Sequence, residues 1–187
     1  MMEETEQQKP KKFFTKINLQ NKVKPRSQVY DVYYCVKTDI SLSGSDYVGS
    51  WVSSIDKDDI YNKEVTNIKI SGDETENHCR IRLKGLLETL KWIVGNTEED
   101  NYKYINVNMY CNDPFIVNLL SKWIPSWCKN KYNISEEDER PNKDLLKEIG
   151  DISTKINTNC KWLSVNSVEM TIVNNLVDQS LQRLKSQ

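Results

Sequence analysis

The sequence holds one histidine, His78. A Ser–His–Asp or Cys–His catalytic group is therefore not expected, and a histidine-based zinc site even less so. Its five cysteines, at 35, 79, 111, 128 and 160, are odd in number and form no C-x-x-C pair. That pattern reads as reduced, mostly buried thiols, and it predicts an intracellular protein, nuclear or cytoplasmic. No apolar run approaches the roughly 18 residues of a transmembrane helix, so no membrane partner is expected. The opening "MMEETEQQKPKKFF" has no apolar signal core, and its acids argue against a mitochondrial presequence. The basic excess of a non-specific nucleic-acid binder is also missing: the net charge is −1 and the pI about 6.0.

The remaining composition is that of a globular chain, 28% charged and 37% hydrophobic over 187 residues, enough for one buried core. Charge is unevenly placed. Lys9, Lys11, Lys12, Lys16, Lys22, Lys24 and Arg26 follow an acidic tip, and residues 1–26 read as a disordered basic arm ahead of a domain spanning 27–187. Lys122, Lys129 and Lys131 cluster around tryptophans; a solvated face explains such a cluster as well as a binding face does.

Periodicity supplies the elements. "QVYDVYYCVK" (28–37), "YVGSWVSSI" and "VTNIKI" read as three strands, and "YINVNMY" as a fourth. "CRIRLKGLLETLKWIVG" reads as a helix with a stripe of Leu83, Leu86, Leu87, Leu90 and Val94, and Gly95 as its stop. A helix runs from Pro114 to about Trp123, "ISEEDERPN" is an exposed link, "KDLLKEIGDISTKI" a helix, "CKWLSV" a short fifth strand and "MTIVNNLVDQSLQRLK" a closing helix. Three meandering strands followed by α/β alternation predict a mixed sheet with helices on its faces.

From about residue 28 onward the chain resembles the type-1 ribonuclease H family. "FIVNLLSKWIPSWCKN", followed after a gap by "NKDLLKEI", is similar to the family's tryptophan-bearing basic protrusion and the helix start after it. "TDIS" (38–41) resembles the first-strand Thr-Asp-Gly-Ser, "CRIRLKGLLETLK" the Arg-Ala-Glu-Leu helix, and "KWLSVNS" and "NNLVDQSLQ" the late loop and final helix. The resemblance implies an α/β ribonuclease H-like fold: a five-stranded mixed sheet flanked by helices. It also implies cleavage of the RNA strand of RNA–DNA hybrids with two magnesium ions, which needs convergent carboxylates.

Carried over residue by residue, the four family acids match Asp39, Arg82, Asn112 and Asp178, and the loop histidine matches Asn166. The glycine after the first acid is Ile40. The formal charge of the four positions falls from −4 to −1. Asp113, one place after Asn112, reads either as a helix N-cap before Pro114 or as the catalytic acid slipped by one residue. Arg82 reads either as a surface arginine or as a cation that faces Asp39 and Asp178 in place of metal; the second reading is the expected one. Glu76 and Glu88 are the nearest substitute acids, and Glu88 lies off the face of residue 82.

On the binding side the resemblance maps onto Trp123, Trp127 and Asn142, with Tyr132 where the family often has tryptophan and Thr75 and Asn77 near the changed phosphate-binding helix start. Tryptophans four apart on a helix also simply pack together. The expectation is a catalytically degenerate ribonuclease H-like protein with no cofactor: a nucleic-acid-associated module or subunit of a larger complex. Its expected partners are an RNA–DNA hybrid or a double-stranded nucleic acid, and other proteins. An active magnesium-dependent hybrid nuclease with a rebuilt site, and a pure protein-interaction module, are the alternatives.

Overall fold

The computed structural model describes residues 27–40, 42, 44, 46–55, 59–69, 74–95, 97–129 and 140–186. The basic arm, Lys131, Tyr132 and most of the "ISEEDERPN" link lie outside the described residues, as do the side chains of Thr75 and Glu76. Five strands form one sheet in the order β3-β2-β1-β4-β5: β1 (Gln28–Ile40), β2 (Asp46–Ile55), β3 (Asp59–Lys69), β4 (Ile105–Cys111) and β5 (Asn157–Trp162). β1 pairs antiparallel with β2, and β2 with β3, whereas β4 runs parallel to both β1 and β5. The expected mixed sheet is present.

Alternation along β1 sorts its side chains between two layers. Val32, Tyr34 and Val36 join the main core, to which α1 (Glu74–Val94) contributes Leu83, Leu86, Leu87, Leu90 and Val94. Cys35 points the other way, into a smaller cluster with Met170, Val173 and Val177 of α5 (Val168–Lys185). The predicted leucine stripe of α1 is buried along its length. The helix nevertheless starts at Glu74, five residues ahead of Cys79, because its polar first turn "ETENH" carries no apolar period. β3 also starts earlier than Val65: its ladder with β2 begins at Asp59, where apolar alternation is weak.

The helix predicted from Pro114 to about Trp123 continues further. α2 (Pro114–Asn118) passes through a π turn (Leu119–Trp123) into α3 (Ile124–Lys129). Pro125 has no N–H for the carbonyl of Ser121, and its ring crowds that carbonyl, so the preceding turn widens instead of closing. α4 (Lys143–Lys155) packs against α1.

Gly85 sets how closely α1 approaches the sheet. A Cβ there would lie 2.4 Å from the Tyr34 hydroxyl and 2.9 Å from the Trp51 ring. Both side chains are fully buried, and the Tyr34 hydroxyl donates to the Arg82 carbonyl at 3.2 Å. Gly85→Ala gains about 1 kcal/mol of helix propensity but forces the rings apart, a larger effect of roughly 1–3 kcal/mol. A lowered urea midpoint is expected; a raised one would show that α1 can move away from the sheet freely.

Candidate functional site

Residues 35, 37 and 39 of β1 share the face toward α5, because strand side chains repeat every second residue. Each meets one side chain of the helix. Cys35 Sγ donates to Asn174 Oδ1 at 3.8 Å, Lys37 Nζ to Asp178 Oδ1 at 2.6 Å, and Lys185 Nζ to Asp39 Oδ2 at 2.6 Å. Asn174 also donates to Asp178 Oδ2 at 3.4 Å. Asp39 and Asp178 are thus each engaged by a lysine of this chain. The Lys185 ammonium, helped by the Ile40 N–H, lowers the Asp39 pKa below its usual value.

That shift fixes a pH dependence. A carboxylate whose pKa is lower when folded adds stability above its unfolded pKa of about 3.9, and the contribution is lost as pH falls through the folded value. The Asp39 side chain is 42% exposed, so screening holds the contribution to about 1 kcal/mol or less. Lys185→Met should therefore lower the thermal midpoint slightly at pH 7, with the difference from wild type shrinking as pH falls below the carboxylate's ordinary range. A difference that stays equal as pH falls would refute the pairing.

The β4 corner lies elsewhere. Tyr34 pairs with Cys111, so the β1 residue level with Asn112 is Cys35. Asp39 is four residues further along, roughly 13 Å at about 3.3 Å per residue. The "TDIS" match therefore does not carry Asp39 to Asn112. Burial pushes the Cys35 thiol up to about 12, so this position carries no charge at neutral pH. Asp113 caps α2: its Oδ1 accepts from the Phe115 N–H at 2.9 Å, with Pro114 first in the helix. The capping reading of Asp113 holds.

Arg82 does not face Asp39 and Asp178. Its Nε lies 3.3 Å from Asp113 Oδ2. The expected bridge fails because residue 82 lies on the α1 side of the sheet, whereas Asp39 and Asp178 are paired on the α5 side. Glu88 does not converge with these groups: among the described residues, no three His, Cys, Asp or Glu side chains gather. Two magnesium ions require clustered, uncommitted oxygen donors. Asp39, Asp178 and Asp113 instead stand apart, each beside its own cation, and this donor set does not fit the ions.

The expected aromatic residues gather around one pocket. Phe115, Leu119, Trp123, Trp127, Arg140 and Asn142 help line a pocket of about 300 Å³ with mostly apolar walls. Trp123 is 40% exposed and meets Phe115 edge-on at 5.7 Å; Arg140 lies 5.3 Å over the Trp127 ring. Lys122 and Lys129 are exposed on the same helical segment. Asn142 is buried in the left-handed conformation, at φ 60°, and its Oδ1 accepts from Arg80 Nη1 at 3.0 Å. The Arg80 guanidinium also grips Asp144, at 3.1 and 2.8 Å. Asn166 is exposed in the loop before α5.

Sequence reasoning missed Lys37, Lys185, Arg80 and Arg140. Two of them had a signal. Lys37 shares a strand face with Asp39, and Lys185 a helix face with Asp178 seven residues earlier.

No protein-family profile matches the chain. It is 28% identical over 146 residues to Ribonuclease H of Thermoanaerobacter sp. (strain X514), covering 77% of this chain and 84% of the relative. It is 26% identical over 161 residues to Ribonuclease H of Caldanaerobacter subterraneus subsp. tengcongensis, covering 84% and 91%. Among solved structures it resembles LC9-RNase H1, a type 1 RNase H with the type 2 active-site motif: TM-score 0.57, 12% identity, 84% of this chain and 74% of that one. The fold is that of ribonuclease H. This ribonuclease H fold also matches the foamy viral protease-reverse transcriptase in complex with an RNA/DNA hybrid. The TM-score is 0.52 at 10% identity, over 96% of this chain and 22% of the viral one.

Proposed function

We propose that this chain is a ribonuclease H fold that grips a nucleic-acid duplex without cutting it, as a module or subunit of a larger assembly. One observation carries the reading. Cys35 and Asn112 bring no charge where β1 meets the end of β4, and the acids nearest that corner, Asp178 and Asp113, lie beside Lys37 and Arg82, so they are neutralised by the chain itself. The Lys37 ammonium, 2.6 Å from Asp178 Oδ1, takes the place beside that carboxylate that a ligated cation would need.

The binding side supports the second half of the proposal. Trp123 and Trp127 offer apolar walls to sugars, while Lys122, Lys129 and Arg140 supply cations for phosphates. The likeness to a viral fold in complex with an RNA/DNA hybrid points to the same class of partner. A-like duplex geometry is preferred over single strands, because a rigid groove reads backbone shape. Titration of a labelled RNA–DNA hybrid at low salt, with and without magnesium, tests the proposal: binding in both conditions and intact RNA are expected. Cleavage would return the active-nuclease reading, and absence of binding the interaction-module reading.

A further inference from the structure

β5 is an edge strand: among the described residues it pairs only with β4. The Leu163 N–H donates to the Cys111 carbonyl at 3.0 Å, which fixes the phase of the strand. In a strand, the N–H and C=O of one residue point to the same side, and successive residues alternate. Asn157, Asn159 and Lys161 therefore bond toward β4. Thr158, Cys160 and Trp162 turn their backbone groups outward.

Three further observations converge on this edge. Trp162 is 59% exposed at the end of the strand. A pocket of about 440 Å³ lies at the other end, lined by Leu120, Ile124, Pro125, Ser153 and Thr158 among others, with no charged side chain in its wall. Within it, the buried hydroxyls of Ser153 and Thr158 have no hydrogen-bond partner. An uncharged pocket that mixes the apolar Leu120, Ile124 and Pro125 with amide and hydroxyl side chains, two of them unclaimed acceptors, suits an indole, which is apolar apart from one N–H donor.

We propose that two copies of this chain pair through β5, antiparallel and centred on Cys160, with the Trp162 of each copy set into the pocket of the other. The register follows from the outward groups. Centring on Cys160 places Cys160 opposite Cys160 and Trp162 opposite Thr158, and these are the residues whose backbone groups face out. Directly opposed residues of an antiparallel pair carry their side chains on the same face. Trp162 therefore arrives on the face where Thr158 opens into the pocket, and its N–H finds the unpartnered hydroxyls. Lys161 falls opposite Asn159, so no like charges meet. A twofold axis makes the contact self-complementary and closed.

This proposal does not depend on the nucleic-acid reading. Sedimentation velocity of the full chain in reductant, from micromolar to millimolar, tests it without any ligand. Wild type should pass from monomer to dimer, and Trp162→Ala should weaken the dimer about tenfold or more, as loss of a central aromatic anchor does. Thr158→Pro removes an outward donor and no β4 bond, and should act likewise. Amide exchange supplies a readout that local destabilisation would not mimic. Thr158, Cys160 and Trp162 should become protected as concentration rises, whereas Asn159 and Lys161, already bonded to β4, should not change. A wild type that stays monomeric throughout overturns the proposal. So does a dimer whose Thr158, Cys160 and Trp162 amides exchange as they do in the monomer, or one that Trp162→Ala leaves unweakened.

Discussion

Incubated with an RNA–DNA hybrid and magnesium or manganese, the protein should leave the RNA strand intact. Two-metal hydrolysis works by holding an attacking water and a leaving oxygen between two cations, and those cations need several carboxylates aimed at one point. Here Asp39 and Asp178 each hold a lysine, Asp113 caps α2 and faces Arg82, and Cys35 and Asn112 contribute no charge where β1 meets the end of β4. Enzymatic acceleration of about a million-fold or more rests on such placement, so the expected outcome is loss of detectable cleavage and not a slower rate. Restoring an acid at one point, as in Arg82→Glu, should not recover activity, since Lys37 and Lys185 stay in place. Robust hybrid cleavage abolished by Asp178→Asn would refute the proposal.

Reversing the charge of Lys122, Lys129 and Lys131 together should abolish duplex binding at low salt. A few phosphate contacts give a log–log salt slope of about −2 to −3, and the acidic balance of the whole chain opposes binding further. Affinity is therefore modest and falls steeply as salt rises. Asp39→Asn should leave it unchanged, because Asp39 lies at the far end of β1 beside Lys185 and not among the tryptophans. Gel-shift titration at several salt concentrations separates the cases. Equal binding by the charge-reversed protein would show that the tryptophan face is not the nucleic-acid contact.

Part of this was legible in the chain. The leucine stripe of α1 and the alternation of β1 are local patterns that burial enforces; both were read, although α1 begins five residues earlier than its apolar period and β1 runs on to Ile40. The Asp113 cap was legible for the same reason: an aspartate before a proline at a strand end satisfies backbone donors within two residues of itself. Arg82 was not. Helical phase gives the face a side chain leaves from, but not which of the carboxylates around it lies nearest in space. Cys35 was hidden by a more visible neighbour. "TDIS" drew attention to Asp39, and only the ladder between β1 and β4 places Cys35 level with Asn112. The helix through Pro125 ran past its predicted end because a proline in a helix can be absorbed by one widened turn.

The pairs between β1 and α5 have a consequence for assembly of the last helix. Slid back by one turn, α5 would set Asn174 against Lys37 and Leu181 against Asp39. Slid forward, it would offer the uncharged Gln182 to Lys37 in place of Asp178. Hydrophobic packing alone tolerates such slips better, since Val173, Val177, Leu181 and Leu184 repeat along the same helix. The two lysine–aspartate pairs act as a vernier: only one alignment satisfies both, so α5 has a single place to stop against the sheet.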